Sequence, residues 1–320
     1  MEKGDLRCNG CGNYLDPEEL FCTNCGLEAP GGEAAKKSEV ETGFIGFRCE
    51  TCGATLTYDA EEEGLRCSFC GSVTLKRDPN PTGRIRTEYY IPFEVSRESA
   101  LRSFQEGISR GFFRPFGFKD KARVVAMRAV YIPFWAFRAK TRTYYAGDSS
   151  QTPALARADW CPVFGERNGE VAEVLVPASG SLRPDEAAKI APYDLSRRKP
   201  YRREDLRSYP VEDFGLSRRG ARPRARALTL QREQAISAEG IPGRSRNVHV
   251  NTLLFDLRSD PVLLPVWLNA YRFQDETYRF LVNGQTGELV GRAPFSYAKL
   301  ALVVLLALAA ALAVFAIAGR

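Results

Sequence analysis

The sequence predicts an α+β protein built in pieces. Two small cysteine-centred units stand at the N-terminus, a β-rich globular domain with helices follows, and one transmembrane helix ends the chain. Three observations predict this. Eight cysteines fall into two quartets before residue 71. The middle of the chain alternates apolar and polar residues between turn signals, and the last stretch is apolar and uncharged. The boundaries read as 1–27 and 44–77 for the two units, 28–43 and 78–88 for polar linkers, 89–295 for the globular domain and 296–320 for the tail.

Cys8, Cys11, Cys22 and Cys25 form the first quartet, and Cys49, Cys52, Cys67 and Cys70 the second. Each is a pair of Cys-x-x-Cys-Gly knuckles, so one small unit is duplicated. Two residues between thiols let a tight turn aim both sulfurs at a single ion. Glycine after the second cysteine suits a backbone position with positive φ. Two such turns supply four thiolates, the closed tetrahedral site of structural zinc, with no position left for catalysis. Four thiolates also accept iron, and redox dithiols or disulfides use the same residue type. Two structural Zn²⁺ ions are the expectation, because units this small need metal binding to fold.

Both units resemble bacterial zinc ribbons, which serve as docking modules for proteins or nucleic acids. The resemblance implies metal more specifically than it implies a partner.

The globular part opens at Tyr90-Ile91-Pro92-Phe93. Ser96 caps an expected helix to about Arg110, with Leu101, Phe104 and Ile108 on one face. From Phe112 to Lys119, aromatic and basic residues interleave. That mixture can stack on single-stranded nucleic acid, but a loop entering the core is the simpler reading. Val130–Phe137 predicts a strand with a returning partner around Thr141–Tyr145. Leu263–Tyr271 repeats its apolar-x-Pro-apolar-Trp signature, and returns at Thr277–Val282 and Glu288–Val290 around an Asn283–Gly287 turn. Two related meanders facing one another are expected. Between them lie a short strand at Val174–Pro177 and helices at Pro184–Ile190 and around Arg226–Ala238. An arginine-rich region from Arg197 to Arg226 reads first as a solvated cationic face.

Leu300–Ala318 carries no charge and no proline. At 1.5 Å per helical residue it would span roughly 28 Å, near the ~30 Å apolar core of a bilayer. Phe295 and Tyr297, with Arg292 and Lys299, stand where an interfacial belt would lie. The N-terminus has no apolar signal segment. The expectation is a tail-anchored, single-pass protein of the cell membrane with its bulk in the cytoplasm, where thiols stay reduced.

YIPFW, LPVWLNAYRF and YRFLVNGQTGELVG before a C-terminal span resemble an uncharacterised family of bacterial zinc-ribbon membrane proteins. Some of its members carry a primosomal helicase-like label. This sequence has no G-x-x-x-x-G-K-[ST] stretch, so the label does not apply. The family has no established activity to transfer.

The sequence offers no convincing active site, and a non-enzyme is expected. His249 is the single histidine and sits in a strand-like context. Cys161 is the thiol outside the quartets, and no neighbouring histidine lowers its pKa. Catalytic and dinucleotide-binding motifs do not appear. A scaffold or adaptor role follows, with ribbons docking a cytoplasmic protein. A membrane-tethered nucleic-acid binder is the alternative. The net charge of +6 suits anionic lipid head groups or nucleic acid without requiring either.

Overall fold

The computed structural model describes residues 7–15, 19, 21–22, 24–25, 27–29, 44–59, 66–67, 69, 72–77, 85, 87–109, 114–115, 117–151, 159–274, 276–291 and 294–318. Cys70, the linker stretches 30–43 and 78–84, and residues 112, 113 and 116 of the aromatic–basic segment lie outside them. The chain divides into two compact units. One comprises Met1–Ile91, Tyr131–Arg183 and Asp194–Leu264, the other Pro92–Val130, Pro184–Tyr193 and Pro265–Arg320.

In the first unit, β1 (Phe44–Cys49), β2 (Thr55–Asp59) and β3 (Leu75–Arg77) form a small antiparallel sheet in the order β2-β1-β3. A second sheet contains β4 (Tyr89–Tyr90), the long β5 (Arg123–Ser149) and β6 (Cys161–Pro177), β7 (Lys199–Pro200), and the 29-residue β8 (Ser245–Phe273). β5 and β6 pair from Phe134↔Pro177 to Ser149↔Cys161, with a register shift between Phe137 and Ala139. β4 runs parallel to β8 and antiparallel to β7.

The expected hairpin return at Thr141–Tyr145 is corrected. Those residues continue the same strand, and β6 is the partner. No turn-forming residue interrupts Phe137–Ala146. Arg138, Lys140 and Arg142 point outward, while Ala139, Thr141 and Thr143 are buried. A buried face made of alanine and threonine lacks the large apolar signal of a core strand. The short strand expected at Val174–Pro177 is the end of β6.

Helix α4 (Arg218–Glu239) packs on β6 and begins eight residues before its expected start. Gly220 and Pro223 hide those first turns from a propensity reading. The Ser217 hydroxyl caps it by accepting from Gly220 N–H at 3.3 Å. Its inward face is small and polar: Ala221, Ala225, Thr229, Glu233 and Ser237. Trp135 centres the core with Phe137, Val174, Val176 and Phe214, and its indole N–H donates to Leu216 O at 2.9 Å.

The second unit holds α1 (Arg97–Ser109), the short α2 (Phe118–Lys121), α3 (Pro184–Ile190), β9 (Glu276–Asn283), β10 (Leu289–Gly291) and α5 (Tyr297–Ala318). The later meander forms as expected: the end of β8 pairs with β9, and β9 with β10. Ser96 Oγ accepts from Ser99 N–H, the expected cap of α1. Phe104 stacks on Phe280 with centroids 4.1 Å apart, in a core with Tyr271, Phe273 and Val282.

The two Pro-x-Trp signatures do the same job in separate cores. Pro133 O accepts from Ala178 N–H and Trp135 donates to Leu216 O; Pro265 O accepts from Gly284 N–H and Trp267 donates to Val95 O. In each, the proline falls at a strand position whose missing N–H the ladder does not need, and the tryptophan is the anchor.

Two expectations are overturned. Strand dominates helix, so the α+β assignment gives way to a mainly β architecture. Among the described residues, no helix is long and apolar enough to cross a membrane. The tail is helical from Tyr297 to Ala318. The tail anchor, the single-pass membrane location and the orientation drawn from them are withdrawn.

Candidate metal centres

Every knuckle is closed by the same backbone bond. Cys8, Cys22, Cys49 and Cys67 each donate their N–H to the carbonyl five residues on, at Asn13, Leu27, Ala54 and Ser72, over 2.6–2.9 Å. Gly12 and Gly53 donate back to Cys8 O and Cys49 O at 2.8 Å, with φ of +69° and +77°. A side chain at either position would be strained, which is why glycine follows the second cysteine.

The sulfurs converge. Sγ of Cys8, Cys11, Cys22 and Cys25 all lie within 4.8 Å of one another, with Cys8–Cys25 at 3.4 Å and Cys11–Cys22 at 3.5 Å. Cys49, Cys52 and Cys67 converge likewise, with Cys52–Cys67 at 3.6 Å. Four sulfurs at ~2.3 Å from one central ion would stand roughly 3.8 Å apart. A disulfide would require about 2.05 Å; the described cysteines are free. The donor set therefore fits one metal ion per cluster.

Backbone N–H groups aim at these sulfurs. Those of Cys11 and Gly10 donate to Cys8 and lower its thiol to about 6. At Cys25 the Leu27 N–H acts in the same direction, but the hydrogen bond shared with Cys8, burial, and the other two thiols outweigh it and push it up to about 12. Thiols this close cannot all ionise unless a cation joins them.

The first unit's body reaches into this cluster. Tyr14 is buried against Trp135, with ring centroids 5.5 Å apart. Arg218 holds Glu19, Asn13 Oδ1 accepts from Ser259 N–H, and Arg7 pairs with Glu88 and Asp260. Asn24, inside the Cys22–Cys25 knuckle, donates to Asp256 Oδ1 at 3.2 Å. Asp256 also receives Arg258 Nε at 2.8 Å. No sequence motif marks Asp256, Arg258 or Arg218, because their roles come from the fold.

The second cluster is seated backbone to backbone. Asp213 N–H donates to Thr55 O, and a Cβ on Gly180 would lie 2.2 Å from Gly53 O. The loop carrying Gly180 is held by buried Glu212. Its carboxylate accepts from the hydroxyls of Ser179 and Ser181 at 2.6 and 2.7 Å, and from the N–H groups of Gly180 and Ser181 at 3.0 and 3.1 Å.

His249 is exposed on β8 and Cys161 half-buried at the start of β6. Among the described residues, neither joins a metal-ligating cluster. The arginine-rich region is partly structural, since Arg218 is buried and Arg198 lies 4.8 Å over the Tyr89 ring.

No family model and no solved structure matches the chain. It is similar to the uncharacterized protein YdjG of Bacillus subtilis (strain 168). The two are 26% identical over 317 residues, covering 81% of this chain and 92% of that protein. The expected likeness to an uncharacterised bacterial protein holds to that extent, and the relative supplies no activity.

Proposed function

We propose that this is a zinc-binding adaptor without catalysis of its own, in which two structural Zn²⁺ ions shape ribbons that dock a protein partner. The observation that carries the zinc reading is the sulfur geometry of the first cluster, with all four Sγ within 4.8 Å. Zinc suits four thiolates, needs no redox partner and leaves no open position. Elemental analysis should find two zinc per chain, and one after Cys8→Ser or Cys49→Ser. Two zinc remaining in either variant would remove those ligands from the assignment.

Exposed apolar side chains beside the knuckles favour a protein partner. Phe21 is 59%, Leu27 50% and Val73 66% exposed, and in sequence they stand one, two and three positions from Cys22, Cys25 and Cys70. Aromatic and aliphatic anchors of this kind are features of protein interfaces. A photo-crosslinker at Phe21, Leu27 or Val73 should give a discrete protein adduct in cells. Yields no higher than those from Phe164, which is 76% exposed and far from either cluster in sequence, would end the docking reading.

Nucleic-acid binding is the second reading, favoured by exposed Arg219, Arg224 and Arg226 on α4. It expects retention of DNA or RNA that falls steeply with salt; no retention at low salt removes it.

A further inference from the structure

The first metal cluster carries a charge that its own ribbon does not balance. Four thiolates around a divalent ion leave a net charge of −2, which is expensive to hold at a half-buried site. Within the ribbon, the sulfurs receive backbone N–H groups from Gly10, Cys11, Asn13 and Leu27. These are dipoles and bring no net charge.

Charged groups elsewhere in the same unit hold the ribbon. Arg222 lies one helical turn after Arg218 on α4, and Arg218 grips Glu19, three residues before Cys22. The first turn of α4 contains no acid. Cations there oppose the helix dipole, so their placement needs an external anion. Glu19 is that anion for Arg218. Burial above all, and then neighbouring Arg218, lower the pKa of Arg222, while Glu19 and Cys22 pull the other way without restoring it. Nη1 of Arg222 is buried and makes no hydrogen bond among the described residues.

On another side, Arg258 is fixed by Asp256, and the Cys11 sulfur favours its charge as well. Asp256 has φ of +53° inside β8, a rare conformation for a residue other than glycine. That kink lets one carboxylate oxygen serve both Asn24 of the knuckle, at 3.2 Å, and Arg258, at 2.8 Å. Asn24 in turn donates to the Cys11 sulfur.

We propose that Asp256 and Arg258 are positioning residues of the first metal centre, supplied by β8, which fix the Cys22–Cys25 knuckle through Asn24 and place a cation beside it. The affinity of this ribbon for its ion is then a property of the folded unit rather than of the ribbon sequence. The inference rests on the two-zinc reading above.

The test is stepwise zinc release from the full-length protein by a competing chelator, with the second cluster as internal reference. Arg258→Gln should weaken one of the two zinc steps by about tenfold or more, as is usual when the outer support of a metal ligand is lost. The other step should stay in place. Arg258→Lys, which keeps the charge, should restore most of the loss. Unchanged release in the glutamine variant would overturn the proposal. So would an equal shift of both steps, which reports global destabilisation, or a lysine variant no better than glutamine. A wild-type protein that binds no zinc would instead remove the metal reading itself.

Discussion

Nη2 of Arg218 donates to both carboxylate oxygens of Glu19, at 2.8 and 2.7 Å. The two side chains are 1% and 7% exposed and lie 199 positions apart in sequence. An ion pair removed from water contributes little net stability, but breaking it strands a charge. Glu19→Gln should therefore destabilise the first unit by roughly 3–5 kcal/mol, read as a lower urea midpoint. A loss below about 1 kcal/mol would mean that Glu19 is not what balances Arg218.

Tyr14 joins the ribbon to the core around Trp135. Its truncation to alanine should cost about 3 kcal/mol, the range for removing a buried aromatic ring. The Trp135 indole should gain contact with water, and its fluorescence should move to longer wavelength. Emission that does not move would detach Tyr14 from this core.

Glu212 gives a pH dependence with a defined sign. Burial raises its pKa above the ordinary 4.5, against the pull of the Ser179 and Ser181 hydroxyls and two backbone N–H groups. The folded state thus binds a proton more tightly than the unfolded state does. Stability is fullest below 4.5 and declines as the pH rises toward the folded value. Relative to Glu212→Gln, the wild type should lose thermal stability as the pH rises above 4.5. Parallel curves for the two proteins would contradict this. Glu212→Ala strands the donors of the loop and should cost on the order of 3 kcal/mol below pH 4.5, and less as the pH rises.

Gly180 and Gly53 meet through their backbones. A Cβ on Gly180 would fall 2.2 Å from Gly53 O, and one on Gly53 2.6 Å from Gly180 O. Gly180→Ala should lower the melting temperature through a loss of about 1–3 kcal/mol, as overpacking does. Gly53→Ala should be worse, because φ at Gly53 is +77°. A neutral Gly180→Ala would show that the knuckle and the loop can part without penalty.

Legibility in the sequence followed the range of the interaction. The knuckles, the Ser96 cap, α3 and the meander after Trp267 rest on contacts within a few residues. The Asn283–Gly287 turn is of that kind: Asn283 Oδ1 accepts from Gln285 and Thr286 N–H, and Gly287 takes φ of +81°. The middle of β5 escaped because its buried positions are Ala139, Thr141 and Thr143. Thr143 is held by Glu233 of α4 and Thr252 of β8, residues about a hundred positions away. The first turns of α4 escaped for a related reason: its small buried residues fit a neighbouring strand instead of forming an apolar stripe.

By itself the sequence determined the two sets of thiols, the turn chemistry that aims them, and the proline–tryptophan anchors, because each is local covalent and hydrogen-bond geometry. The tertiary structure decided what surrounds those thiols: Tyr14 in the core, Glu19 beneath Arg218, Asn24 tied to Asp256, and Gly53 against Gly180. Charge balance and close packing join residues up to 253 positions apart, and no pattern along the chain encodes such pairs before the chain folds.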